Sequence, residues 1–341
     1  MRKTVQSFLL FLILTACVEP INLKPEEAVE ILVVEGGITN IPGRHLVELT
    51  MTTRYGDVFD GVNKRVDNAL VSVRDDSGNT VLFENLDNGV YQSPENYMAE
   101  VGRSYTLLIE TADGVRYNSI PQEIVPVPAM EEIRTEFVKI ATADPNKFIT
   151  GMDVIVEFND PMDNNFYLWE SRGVYEVNAR PDLHLDEFGQ PDPLPCCEKC
   201  WVTEVTDNSL RLLNDVNSNG QLQEVKVAFI EDDGIRFSGG YYVKISQMAI
   251  SREAFDFYKV LDQLLSINGD LFDPPPVIIR GNIVNLDNPD ENVIGLFRAA
   301  AVVQDSIFIR PDMLDERKEA VLRNDCRNYK NGTVERPEFW Y

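Results

Sequence analysis

The scarcest chemically versatile residues are five cysteines and two histidines, and their spacing is uneven. Cys196-Cys197-Glu198-Lys199-Cys200 crowds three thiols together, and Cys326 stands alone near the C-terminus. Four thiolates would make a closed tetrahedral zinc site, and a Cys-x-x-Cys spacing also suits redox chemistry. In an exported chain disulfides take precedence over both, because the compartment is oxidising. Of the three complete pairings, a bridge between the neighbours Cys196 and Cys197 is expected to be strained. The other two both tie Cys326, and the tail with it, to the 196–200 loop. Closing so long a loop is worth about 3–5 kcal/mol in the chain-entropy model.

Asp215-Val216-Asn217-Ser218-Asn219-Gly220 resembles the opening of a calcium loop, with oxygens from Asp215, Asn217 and Asn219 at positions one, three and five and glycine at six. Position twelve, where such a loop needs an acid, is Lys226, and a plain Asn-Gly hairpin turn is the alternative. His184 sits between Asp182 and Asp186, which would share its side of a strand, either as a metal site or as a solvated acidic loop. There is no HExxH zinc motif, no Gly-x-Ser-x-Gly elbow and no Walker loop, so no catalytic residue is assigned and no cofactor is expected beyond lipid or calcium. With 56 acidic residues, the sequence cannot single out a glycosidase pair. Trp169 reads as core, and Trp201 is placed to pack over a disulfide. Phe339-Trp340-Tyr341 closes the chain, and so aromatic an end is expected to dock, on its own domain or on a partner.

The elements that must position these residues start with a leader. Arg2 and Lys3 precede an apolar run over residues 8–14, and Thr15-Ala16 supply small residues before Cys17. That order predicts a signal peptide over 1–16, too short to span a bilayer. Leu14-Thr15-Ala16-Cys17 resembles the bacterial lipobox, in which the cysteine sulfur is lipidated and becomes the first residue. A tether over 17–30 would then hold the folded part off the membrane. Short β-rich runs at 31–38, 46–52, 69–74, 80–84, 89–92, 104–110 and 115–119, separated by Asp-Ser-Gly-Asn, Asp-Asn-Gly and Asp-Gly turns, predict an Ig-like antiparallel β-sandwich over 31–120. Val71, Val73, Leu107 and Ile109 alternate as an inner face should. Pro121, Pro126 and Pro128 mark 121–130 as a stiff linker. A second β-rich domain follows over 131–310, with a cysteine-bearing, acidic, proline-rich insertion at 183–208. One helix is predicted at 251–266, with Ser251 as N-cap and an apolar stripe of Ala254, Phe257, Tyr258, Leu261, Leu264 and Leu265. Residues 293–301 and 306–309 read as closing strands, and 316–322 as a short helix in a tail over 311–341.

Composition narrows the function classes. Thirty-one basic against 56 acidic residues give a net charge of −25, a surface that repels nucleic acid and anionic headgroups. A 44% hydrophobic content suits buried cores.

Several stretches together resemble a family of uncharacterised outer-membrane lipoproteins of Bacteroidota. They are the lipobox; Leu32-Val33-Val34-Glu35-Gly36-Gly37-Ile38-Thr39-Asn40; Gly89-Val90-Tyr91 with Gly102-Arg103-Ser104-Tyr105-Thr106-Leu107; Ser251-Arg252-Glu253-Ala254-Phe255-Asp256-Phe257-Tyr258; and Leu271-Phe272-Asp273-Pro274-Pro275 leading to Gly281-Asn282-Ile283. The resemblance implies genes beside SusC-type TonB-dependent receptors and an accessory role in nutrient uptake, without a catalytic mechanism. The expectation is a lipid-anchored outer-membrane protein, the cell-surface face favoured over the periplasmic one. Its expected partner is a SusC-type receptor, met through Phe339, Trp340, Tyr341 and the insertion around Leu194-Pro195. A surface hydrolase of glycans or peptides and a structural envelope or adhesion module are the alternatives.

Overall fold

The computed structural model describes residues 30–52, 64–206, 210–265 and 279–340. Cys17 with its lipobox and tether, the 271–275 stretch and Tyr341 lie outside the described residues.

Alternating apolar residues and tight turns build the first half. Its strands are β1 (Leu32–Thr39), β2 (Leu46–Met51), β3 (Lys64–Arg65), β4 (Leu70–Asp75) and β5 (Thr80–Leu82), then β6 (Glu84–Asn85), β7 (Val90–Gln92), β8 (Ser104–Glu110), β9 (Arg116–Ser119) and β10 (Gln122–Glu123). Asp87 and Asn88 both take left-handed conformations, at φ 68° and 54°, between β6 and β7. These are residue types that tolerate such turns. Val71, Val73, Leu107 and Ile109 face inward and are buried, as their spacing predicts.

The second half carries longer strands: β11 (Glu132–Ala141), β12 (Phe148–Asn159), β13 (Phe166–Asn178), β14 (Lys199–Val205), β15 (Arg211–Asn214), β16 (Leu222–Glu231) and β17 (Tyr241–Ala249). Helix α1 (Arg252–Leu265) and strands β18 (Ile283–Asn285), β19 (Ile294–Ile309) and β20 (Gly332–Thr333) follow. The protein is mainly β, with sandwich-like layers and a single α-helix among the described residues.

Three sheets organise these strands. A large one runs β20-β14-β13-β17-β19-β1-β2-β7-β6, with β15 also on β13 and β3 on β2. A second runs β18-β9-β8-β4-β5 with β10 on β8, and a third is β11-β12-β16. The large sheet is shared. One face meets the second sheet through Val34, Val47 and Leu49 against Val71, Val73 and Leu107. Farther along, Tyr167, Trp169, Val243 and Ile245 meet Met152, Val154, Val156 and Phe158 of the third sheet. Successive residues of a strand point to opposite faces, so Leu168, Met248, Leu296 and Ala300 appear on the other side, where Ala254 and Phe255 of α1 cover them.

Strand β19 changes the expected domain plan. Two closing strands were expected, and one continuous strand is present. Residues 294–300 pair parallel with β1, and 301–309 pair antiparallel with β17. Phe297 and Ala299 fill the core of the first half, and β18 pairs with β9. The sandwich is therefore not closed within 31–120; the chain returns at β18 and β19 to complete it. The 121–130 segment is likewise not a free spacer. Gln122 and Glu123 pair with β8, and Val125, Val127 and Met130 pack on the second core.

The helix confirms its cap and corrects its face. Ala254 N donates to Ser251 Oγ at 3.1 Å, whereas burial is concentrated at Ala254 and Phe255, and Leu265 is exposed. Phe257 and Tyr258 of the predicted stripe still pack on the sheet face, half-buried, with Arg298 donating to Tyr258 OH at 3.1 Å, and only the end of the stripe at Leu265 leaves it. Residues 316–322 form no helix. Their backbone is laid against the domain instead, with Lys318 N donating to Asp232 Oδ2 at 2.8 Å.

Candidate functional site

Cys200 belongs to β14, paired opposite Val177, so its side chain enters the interior. Cys326 opens a short 3-10 turn whose start is capped by Asp325, which accepts from Arg327 N. Both cysteines are fully buried beside Ala179 and are bonded to each other, Cα to Cα 5.5 Å. Cys196 and Cys197 are bonded to one another. The expectation that neighbours would stay unbridged is corrected here, and the reason is positional. The interior thiol of Cys200 faces Cys326, which leaves Cys196 and Cys197, on the outer loop, only each other. The tie from the cysteine loop to the tail is present, made by Cys200. Cys326 N also donates to Cys197 O at 3.2 Å.

The tail continues this attachment. Strand β20 adds to the edge of β14. Trp340 is buried and meets Trp201 and Phe308 edge-on. Phe339 stacks on Tyr242 at 4.2 Å and stays partly exposed. Of the three residues expected to meet a partner, Trp340 is therefore consumed by its own domain, because the β14 edge offers an apolar seat. Trp201, expected to pack over a disulfide, instead meets Trp340 edge-on.

The insertion before β14 is different. Its hairpin turns through Asp186, whose Oδ1 accepts from Phe188 N and Gln190 N. The turn leaves Leu183 59%, Leu185 52% and Phe188 78% exposed. The last part of the 183–208 stretch is not insertion but strand β14. A cleft of about 620 Å³ opens at its base, lined by Arg180, Leu183, Leu322, Arg323, Asn324 and Asn328. Asp182 holds Arg180 through two hydrogen bonds of 2.9 and 2.7 Å, and that pairing holds the Asp182 carboxyl below its usual range. Arg323 lies over the Tyr329 ring. His184 Nδ1 lies 2.8 Å from the Asn324 amide. Asp182, His184 and Asp186 thus have separate partners and do not converge.

The Asp215–Gly220 turn was read as the start of a cation loop, and the structure changes its membership. Asp215 is fully buried, whereas Asn217 is exposed. The carboxyl that Asp215 does meet is Asp160, from the turn after β12. Burial pushes the Asp215 carboxyl up, and the neighbouring Asp160 adds to this, while the Asn165 N–H works against it. Asp160 was legible only as part of an Asn-Asp-Pro turn.

A second, half-buried network escaped the sequence altogether. Arg236 donates to both oxygens of Glu204, at 2.7 and 3.1 Å, and Tyr241 OH donates to Glu204 Oε1 at 2.9 Å. Burial opposes the charge of Arg236, but Glu204 and Asp233 more than offset it. The Tyr241 ring covers Gly173, where any side chain would collide with it. These groups are saturated by one another and hold β13, β14 and β17 in register. Among the described residues no group of three or more His, Cys, Asp or Glu is placed to hold a metal ion.

A family model described as "Domain of unknown function (DUF4249)" matches residues 18–306, most of the chain. No curated protein matches it.

Proposed function

We propose that this chain, which belongs to the DUF4249 family, is an outer-membrane lipoprotein that serves as a non-catalytic binding or accessory subunit of a SusC-type TonB-dependent nutrient receptor. The observation that carries this reading is the insertion at 183–198. It presents Leu183, Leu185 and Phe188 to solvent, yet its base is fixed by the Cys200–Cys326 bond and by β14. Apolar side chains on a rigid base lose little entropy on docking, which favours an interface. An aromatic at the tip of a hairpin also suits an anchor entering a partner pocket. The lipobox ending at Cys17 supports the lipid anchor, and the cell-surface face is the one this reading favours. The contact surface is the insertion rather than the aromatic tail, since Trp340 is part of its own domain's packing.

A stable complex should bury on the order of 1,200–2,000 Å² in total. Affinity isolation of the tagged, full-length protein from gently solubilised outer membranes tests the reading. One dominant TonB-dependent receptor should co-purify, and Phe188→Glu combined with Leu185→Glu should lose it while the melting temperature stays unchanged. Recovery of the lipoprotein alone, in detergents that keep other receptor complexes intact, overturns the reading. Replacing Cys17 with Ala should move the protein out of the membrane fraction.

A further inference from the structure

The base of the insertion and the segment leading to Cys326 enclose the cleft of about 620 Å³ between them. Arg180 and Leu183 line it from one side, and Leu322, Arg323, Asn324 and Asn328 from the other. The backbone brings the two arginines together, since Arg180 N donates to Arg323 O at 2.8 Å. Leu194 N donates to Pro181 O at 3.1 Å and closes the base of the insertion. Just beyond Arg323, Cys326 is bonded to Cys200 of β14, so the wall that carries Arg323 is held covalently.

The charge of this lining runs against that of the chain. Acidic residues outnumber basic ones by 56 to 31, yet the six lining residues include two arginines and no carboxylate. Asp182 takes Nε and Nη2 of Arg180, and Glu198 adds to the negative field on it. Nη1 of Arg180 keeps its donors without a partner among the described residues. Arg323 pairs with no carboxylate among the described residues. Its Nη1 donates to Asn328 O, and its guanidinium lies 4.7 Å from the Tyr329 ring centroid. Its Nε and Nη2 are left open. These two groups form one edge of the guanidinium, a two-donor fork that matches the two oxygens of a carboxylate. A guanidinium held by a backbone acceptor and a ring, with its fork unoccupied, is preorganised for an anion.

We propose that this cleft binds a small organic carboxylate, held by the Nε–Nη2 fork of Arg323 and by Arg180 Nη1, with its body along Leu183 and Leu322. The carboxamides of Asn324 and Asn328 supply groups that meet amides or hydroxyls of that body. Two features select this class over a bare ion. The volume is that of sites that enclose small molecules, and leucines share the lining with the guanidiniums. The net charge of −25 also opposes a doubly charged phosphate more than a singly charged carboxylate. The carboxyl end of a short peptide and the acid group of a uronic sugar share this chemistry. The inference rests on these side chains and not on the receptor reading, so recovery of the lipoprotein without a receptor would leave it standing.

Isothermal titration calorimetry of the full-length protein tests it. The probes are an N-acetylated alanine–leucine dipeptide, the same dipeptide with its carboxyl end amidated, glucuronate, and inorganic phosphate. At least one of the two carboxylates should bind, the dipeptide more tightly if the source is a peptide and glucuronate if it is a sugar. The amidated dipeptide should bind about tenfold more weakly than the free acid, or not at all. Arg323→Gln should weaken carboxylate binding about tenfold or more, the scale of a lost charge-assisted hydrogen bond, with the melting temperature unchanged. Arg323→Lys, which keeps the charge without the fork, should restore only part of it. Arg180→Gln gives a second reading should Arg323→Gln lower the melting temperature, and it too should weaken binding. Failure of both carboxylates to bind overturns the proposal. So does binding that survives both Arg→Gln changes, or phosphate that binds as tightly as the better carboxylate.

Discussion

The two halves of this molecule are held by different means. The core of the first half is mostly aliphatic: Leu32, Val34, Ile38, Val47, Leu49, Val71, Val73, Leu107 and Ile109 interlock between two sheets. The core of the second half is crowded with aromatics whose polar ends must be satisfied. Tyr167 donates to Asp160, Trp169 Nε1 to Gln247 Oε1 at 2.9 Å, and Tyr241 to Glu204. Buried Tyr and Trp need such partners, and a fully satisfied polar network specifies one arrangement. To these the second half adds the Cys200–Cys326 bond, across 126 residues. Both halves borrow distant strands and satisfy buried tyrosines, as Tyr91 and Tyr117 do in the first; the difference is that the first half is richer in aliphatic packing, while the second carries more aromatic pairings and a disulfide that ties the tail.

The comparison breaks if the first half stands alone. It should not, because β1 takes its inner neighbour from β19 and the core includes Phe297 and Ala299. A fragment covering residues 31–130 would expose the β1 edge and leave a large void, which costs several kcal/mol per missing side chain. We expect it to lack a cooperative unfolding transition and near-ultraviolet circular dichroism. A fragment that melts cooperatively would show the sandwich to be self-sufficient.

The disulfides sharpen the contrast. Replacing Cys200 and Cys326 together by Ser releases a long loop and opens the buried corner, and should lower unfolding free energy by about 3–5 kcal/mol. The same change at Cys196 and Cys197 releases no loop on the outer segment. It should cost within about 0.5 kcal/mol, the usual scale of surface substitutions. Equal losses from the two pairs, in denaturant titrations, would mean that the corner is not what anchors the tail.

The same contrast explains what the sequence discloses. Strands with period-two alternation and their own turns, such as Leu70–Asp75 and Ser104–Glu110, are legible because the signal is local. Strand Glu132–Ala141 was missed. Ile133, Thr135 and Phe137 alternate with charged residues, but the period shifts at Val138 and Ile140 and the strand stays partly exposed, so the signal is short and weak. The Cys196–Cys197 bond was misjudged because burial of Cys200, set by its place in β14, decides the partners. The carboxyl pair of Asp160 and Asp215 could not be seen, since the two residues meet only when their turns do. Alternation gives the layers; the junctions between distant turns carry no sequence period to read.

A smaller effect tests the seam between the halves. Ser251 caps α1 and also donates to Gln122 Oε1 at 2.7 Å, and Gln122 is buried. Ser251→Ala should cost about 1 kcal/mol from the cap. A double-mutant cycle with Gln122→Ala should show a coupling beyond additivity. Strict additivity would mean that the helix is capped independently of the first half.

The smallest effect is the pH dependence that His45 gives the first half. Burial pushes the His45 imidazole below its usual range of about 6.5, against the opposing pull of the Tyr97 and Ile41 carbonyls. Its Nε2 lies 3.1 Å from Tyr97 O, and its ring meets Tyr97 edge-on. The folded protein therefore resists protonating this group more than the unfolded chain does. Below about 6.5 the unfolded state binds the extra proton, so stability falls with falling pH through that range until the folded imidazole also titrates. Above it the contribution is complete. The bond between Cys200 and Cys326 does not titrate, so acid should loosen the first half while reductant loosens the second. Comparing native protein with His45→Gln in denaturant titrations separates these. The stability difference between them should be largest at neutral pH and should narrow in mild acid, and reductant should leave that narrowing unchanged. A difference that stays constant across this range would show that His45 is solvated as freely in the fold as out of it.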